Sequence, residues 1–110
     1  MTTKTFNAGA DIAAHRLVKF SDTEKTVVAA TAGTDAILGV TDDVDVKEGN
    51  VADVHLAGVH KTQAGGAIAQ GDKLTATADG KAVKAEEGNN TIGIALENAT
   101  EDEYFEVLLK

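Results

Sequence analysis

The chain contains no cysteine, no proline and no tryptophan, and only three phenylalanines and one tyrosine among its 110 residues. Without cysteine it can form no disulfide, activate no thiolate nucleophile and offer no thiolate ligand to a metal. Nineteen alanines supply much of its apolar content, and alanine buries little area, whereas a large aromatic side chain buries about 150–250 Å². A single domain of this length with so lean a core is expected to gain stability from association between subunits.

Positive charge is also scarce. Ten lysine and arginine residues face eighteen aspartates and glutamates, the net charge is −8, and Arg16 is the only arginine. Nucleic-acid binding needs clustered lysine and arginine, so the composition argues against it, and an acidic chain favours a basic or mixed protein partner. No apolar run approaches the ~18 residues of a membrane span, and the first residues lack the apolar stretch of a signal peptide. We therefore expect neither a nucleic-acid nor a membrane partner, and function without export.

What the sequence does contain is a degenerate repeat of short apolar stretches. The landmarks of the first copy are Leu17, Gly39 and Val54, and those of the second are Leu74, Gly93 and Val107. The leucine precedes the glycine by 22 residues and then by 19, and the glycine precedes the valine by 15 and then by 14. Turn residues at near-even spacing separate about eight short strands, and no helical period appears. The sequence predicts a mainly β fold, a closed or nearly closed small barrel or sandwich that hides its strand edges.

The two ends of the chain differ in polarity. Residues 1–11 are polar, with Phe6 as their only large apolar side chain. They predict an N-terminal arm, either frayed or adding a strand to a neighbour, ahead of a single β-barrel domain over residues 12–110. Residues 104–109 carry so little polarity that this closing strand is expected to be covered on both faces.

No constellation of side chains predicts chemistry. His55 and His60 are five residues apart, which places them on opposite faces of a regular strand, so they cannot hold one ion unless a bend at Gly58 changes the parity. The acidic stretch 42–49 does not place oxygen ligands and glycine at the spacing of a calcium loop. Ser21, the only serine, has no histidine or nucleophile elbow nearby. We predict no catalytic residue, no metal site and no cofactor.

The order of the short motifs adds a resemblance. In chain order they are residues 12–19 (IAAHRLVK), 37–40 (ILGV), 54–59 (VHLAGV), 64–74 (AGGAIAQGDKL), 79–83 (DGKAV) and 92–96 (IGIAL). This succession, which covers residues 8–109, resembles the small capsid-decoration, or cement, proteins of tailed bacteriophages.

The resemblance implies a non-enzymatic virion component with the fold of a small β-barrel or β-tulip, made in the host cytoplasm and placed on the outer capsid surface. It implies a homotrimer that binds across junctions between subunits of the major capsid protein and stabilises the mature head. For the contact with the capsid or with a neighbouring subunit, we predict the arm residues Thr2, Thr3, Lys4, Thr5, Phe6 and Asn7. The alternative is a small β-barrel ligand-binding module, for instance for carbohydrate. Such modules usually expose aromatic side chains, and this chain has four aromatic residues in all.

Overall fold

A computed structural model describes residues 3–109, and this part of the chain consists of β-strands and their connections without a helix. The ten strands are β1 (Thr3–Ala8), β2 (Leu17–Phe20), β3 (Thr26–Ala29), β4 (Ile37–Thr41), β5 (Val51–His55), β6 (Gly58–Gln63), β7 (Lys73–Ala76), β8 (Ala82–Lys84), β9 (Gly93–Ala95) and β10 (Tyr104–Leu109). The first five form a closed barrel in the order β1-β3-β2-β4-β5, and the last five form a sheet in the order β6-β10-β9-β7-β8. The prediction of a mainly β, barrel-like fold is confirmed, with ten strands instead of about eight.

Two of the ten strands were not predicted as separate strands of the domain. Residues 3–8 of the predicted arm are β1, which pairs antiparallel with β5 and parallel with β3 and so closes the barrel. β6 begins at Gly58, where a φ of +94° turns the chain out of the barrel and into the second sheet. Glycine adopts this backbone conformation without the steric cost that a Cβ would bring.

The two halves repeat one pairing scheme. In each half four antiparallel contacts join five strands in the same order, β3-β2-β4-β5-β1 in the first and β8-β7-β9-β10-β6 in the second. The parallel contact that closes the barrel at Ala8 and Val27 has a counterpart in a parallel bridge between Ala64 and Ala82. The duplication therefore begins at β1 and β6, one strand earlier than the sequence landmarks.

The register of the two copies also differs by one residue from the sequence landmarks. Val18 faces Gly39, and Leu74 faces Gly93. Leu74 is thus equivalent to Val18, whereas Leu17 is equivalent to Lys73. Both glycines allow a close approach of strands, because a Cβ on Gly39 or on Gly93 would collide with a backbone carbonyl oxygen of the adjacent strand.

Two hydrophobic cores result. The interior of the barrel is filled by Phe6, Ala8, Ile12, Val18, Val27, Val46, Ala52 and Val54. The larger core belongs mainly to the second half, but it includes Leu17, Ala30 and Val40 from the first. Because side chains alternate along β2, Val18 points into the barrel while Leu17 points out of it. The outer face of the first half is therefore buried against the second half.

Candidate interaction surfaces

β1 carries the predicted contact residues Thr3 to Asn7, of which the polar ones are accessible. Asn7 and Thr5 face outward and are exposed, and the Thr5 hydroxyl donates a hydrogen bond of 2.9 Å to Asp53 on β5. The Thr3 hydroxyl lies 2.9 Å from Nδ1 of His55, and Lys4 is exposed. Thr2 lies outside the described residues. This face is a set of polar side chains fixed on a paired strand.

Phe6 points the other way, into the barrel. Its side chain is 7% exposed, and its ring meets that of Phe20 edge to face at a centroid distance of 5.4 Å. The two rings and residues 21–25, the turn between β2 and β3, line an open cleft of about 450 Å³. At this end of the barrel the exposed aromatic side chain is Phe20, 51% of which is accessible. In the sequence Phe20 is followed by a polar turn, and this pattern did not indicate an exposed aromatic side chain.

A second surface, the apolar outer face, lies on the second sheet and consists of Val59, Ile94, Leu96 and Leu108. Leu108 on β10 pairs with Val59 on β6 and with Ile94 on β9, so the three side chains form one row across the strands. Val59 is 52% exposed and Leu96 is 38% exposed. The prediction that both faces of residues 104–109 are covered is wrong within one chain, because only Phe105, Val107 and Leu109 are buried.

The two histidines that the sequence placed on opposite faces lie side by side. The chain bends between β5 and β6, where Gly58 has a positive φ, and the His55 and His60 rings stack with a centroid distance of 3.9 Å and an angle of 12°. Nε2 of His55 is also 3.4 Å from Oδ1 of Asp42. The backbone N–H of Asp43, and secondly the His55 side chain, lower the pKa of Asp42. Within residues 3–109 no group of three or more side chains is placed to bind a metal ion.

In the described part of the chain, every buried side-chain nitrogen or oxygen has a hydrogen-bond partner. The same residues include no helix of the length and hydropathy that a bilayer crossing requires.

Comparison with known proteins identifies the family. A family model of the phage cement protein matches residues 1–110, the whole chain. The chain belongs to the phage cement protein family. No curated protein sequence matches this cement protein.

A solved structure shares its fold. The crystal structure of the N base of the head fiber protein gp8.5 of bacteriophage phi29 matches with a TM-score of 0.77 and 26% sequence identity, over 98% of this chain and 92% of that one. Together the two findings support a structural, capsid-associated phage protein, which agrees with the resemblance in the motifs.

Proposed function

We propose that the protein decorates and stabilises the mature phage head. It binds the outer capsid surface as a homotrimer, across junctions between subunits of the major capsid protein. The observation that carries the proposal is the family match over the whole chain. The shared fold with a head fiber base and the exposed surfaces on both halves support it.

The physical basis is multivalent adhesion. Each subunit offers small surfaces, and an interface of ~800 Å² per partner or less is weak when it acts alone. A trimer that spans several capsid subunits makes the second and third contacts effectively intramolecular, which raises the overall affinity by ~10²–10⁴. A ligand that binds only the expanded lattice then stabilises that lattice by mass action.

The capsid contact is proposed to include the exposed face of β1, within the segment Thr2 to Asn7. The β-barrel holds this strand on both sides, so its side chains are ordered before binding and little conformational entropy is lost. The neighbouring carboxylates of Asp53 and Asp42 make the surface acidic. A basic patch on the capsid would complement it, and added salt would weaken the binding.

Binding to empty phage heads tests the proposal and the contact together. Purified protein is mixed with expanded and with unexpanded heads that lack it, and occupancy is measured by co-sedimentation. We expect saturable binding to expanded heads. We expect Thr5→Arg to weaken it about tenfold, which corresponds to ~1.4 kcal/mol, because a long side chain would stand in the contact.

The matched control is Thr34→Arg, an equal change at an exposed position in the turn before β4. It should bind like the unchanged protein. Equal binding by both variants would remove β1 from the contact, and no binding of the unchanged protein to either kind of head would reject the function. Hits on a glycan array in place of head binding would favour the carbohydrate-binding alternative.

A further inference from the structure

Within one chain, the two halves contact each other along an interface that we call the seam. Each half contributes one side of it. The seam face, on the first half, consists of His15, Leu17 and Val40. The seam end, on the second half, consists of Thr62, Ala76 and Gly80. The His15 carbonyl oxygen accepts a hydrogen bond of 2.9 Å from the Thr62 hydroxyl, and the Leu17 N–H donates one of 2.7 Å to the Gly80 carbonyl. Leu17 and Val40 are fully buried there, in the same core as Ala76.

The first half has an equivalent of the seam end, and none of residues 3–109 covers it. The strand register equates Phe6 with Thr62 and Phe20 with Ala76. Lys25 and Gly80 both precede the returning strand of a hairpin with positive φ, 58° and 76°. We call Phe6, Phe20 and Lys25 the open end. Ala76 is 3% exposed against the seam face, whereas Phe20 is 51% exposed beside the cleft of about 450 Å³.

The second half has an equivalent of the seam face that is likewise uncovered. Leu17 pairs with Val40 as Lys73 pairs with Ile94. His15 and Gly71 occupy the same place two residues before each pair, and both have positive φ, 58° and 91°. We call Gly71, Lys73 and Ile94 the open face; Ile94 also belongs to the apolar outer face, so the two surfaces are continuous.

We propose that the open face of one subunit binds the open end of a second copy of this chain, and so repeats between molecules the seam that joins the halves within one. The inference rests on the proposed self-assembly and names the surfaces that carry it. Such an interface is head-to-tail, and head-to-tail contacts give rings where the rotation closes. Three subunits would then share three identical interfaces and leave no open end or face.

Where the open end and the open face differ from the seam, their side chains complement one another in size. Phe6 and Phe20 are larger than Thr62 and Ala76, and opposite them Gly71 stands where the seam has His15. A small residue there leaves space that an aromatic ring can fill, and large rings in such a pocket dominate interface energies.

A cysteine pair tests the geometry directly, since the chain has no cysteine of its own. In the seam, Leu17 and Gly80 are joined by a backbone hydrogen bond, so their equivalents Lys73 and Lys25 would lie within the Cα separation of about 4.4–6.8 Å that a disulfide needs. The double variant Lys25→Cys, Lys73→Cys is oxidised in solution and on expanded heads, and the products are separated by mass without reductant. We expect a ladder that ends at a covalent trimer.

Each single variant is the matched control, because a head-to-tail interface keeps equal positions apart and leaves the single variants uncrosslinked. Covalent dimers of either single variant would show a two-fold contact and overturn the proposal. Absence of crosslinking of the double variant both in solution and on heads would overturn it as well. A crosslinked trimer that binds no heads would leave the interface standing and reject the capsid function instead.

Discussion

At the scale of the residue, the fold depends on a few polar side chains that hold loops against strands. Asp35, in the connection between β3 and β4, accepts hydrogen bonds from the backbone N–H groups of Thr31 at 2.8 Å and Ala32 at 3.1 Å. Nζ of Lys19 on β2 is 3.2 Å from the same carboxylate oxygen. The Thr31 N–H makes the largest contribution to lowering the pKa of Asp35, and burial opposes it.

This arrangement gives a pH dependence with a defined sign. A carboxyl group whose pKa is lower in the folded than in the unfolded state stabilises the fold above its unfolded pKa of ~3.9, and that stability is lost as the pH falls through the folded pKa. We expect Asp35→Asn to lower the free energy of unfolding at neutral pH by about 1–3 kcal/mol, because Asn keeps part of the hydrogen bonding but not the charge.

The difference between variant and unchanged protein should shrink as the pH falls below about 4. Urea denaturation at several pH values measures it, and Asp79→Asn, in an exposed turn, is the control. A difference that stays constant down to the acid limit would contradict the role of the Asp35 charge.

At the scale of the element, the sequence reveals the alternation of apolar and polar side chains along a strand, but not which strands pair with each other. Along β1, Phe6 and Ala8 point inward while Thr5 and Asn7 point outward, yet two apolar residues in a polar stretch are too short a pattern to distinguish a barrel strand from an arm. Only the pairing with β5, almost fifty residues away, makes it part of the barrel. The two histidines likewise meet across the bend at Gly58, the one condition under which the sequence allowed them to do so.

The sequence showed the repeated glycines of β4 and β9 as landmarks, but it did not show why glycine is required at these positions. They let a neighbouring strand approach so closely that a methyl group would strike its carbonyl oxygen. Because backbone cannot move aside as a flexible side chain can, we expect Gly39→Ala to destabilise the protein by about 3 kcal/mol or more.

The comparison is Gly49→Ala, at a φ of +90° with no atom within 4 Å of the added Cβ. There the cost should be limited to the backbone strain, about 1–2 kcal/mol. Thermal unfolding of the two variants measures the difference. A Gly39→Ala variant no less stable than Gly49→Ala would show that the strands separate easily at this point.

At the scale of the whole molecule, the duplication explains why surfaces are left uncovered. The first half buries its outer face on the second, so Leu17 and Val40 are core residues. The second half has no further copy to bury its own face, and Val59, Ile94, Leu96 and Leu108 stay partly exposed. The sequence showed the repeat and the lean core, from which association could be expected. The surfaces themselves required the strand register, which places residues far apart in the sequence side by side.

Cryo-electron microscopy of expanded heads saturated with the protein tests the central claim most directly. We expect density for three copies around a local axis on the outer surface, at junctions between subunits of the major capsid protein. The ten-stranded fold should fit it with the β1 face toward the shell. Heads that show no added density, or density confined to the inner surface, would contradict the account.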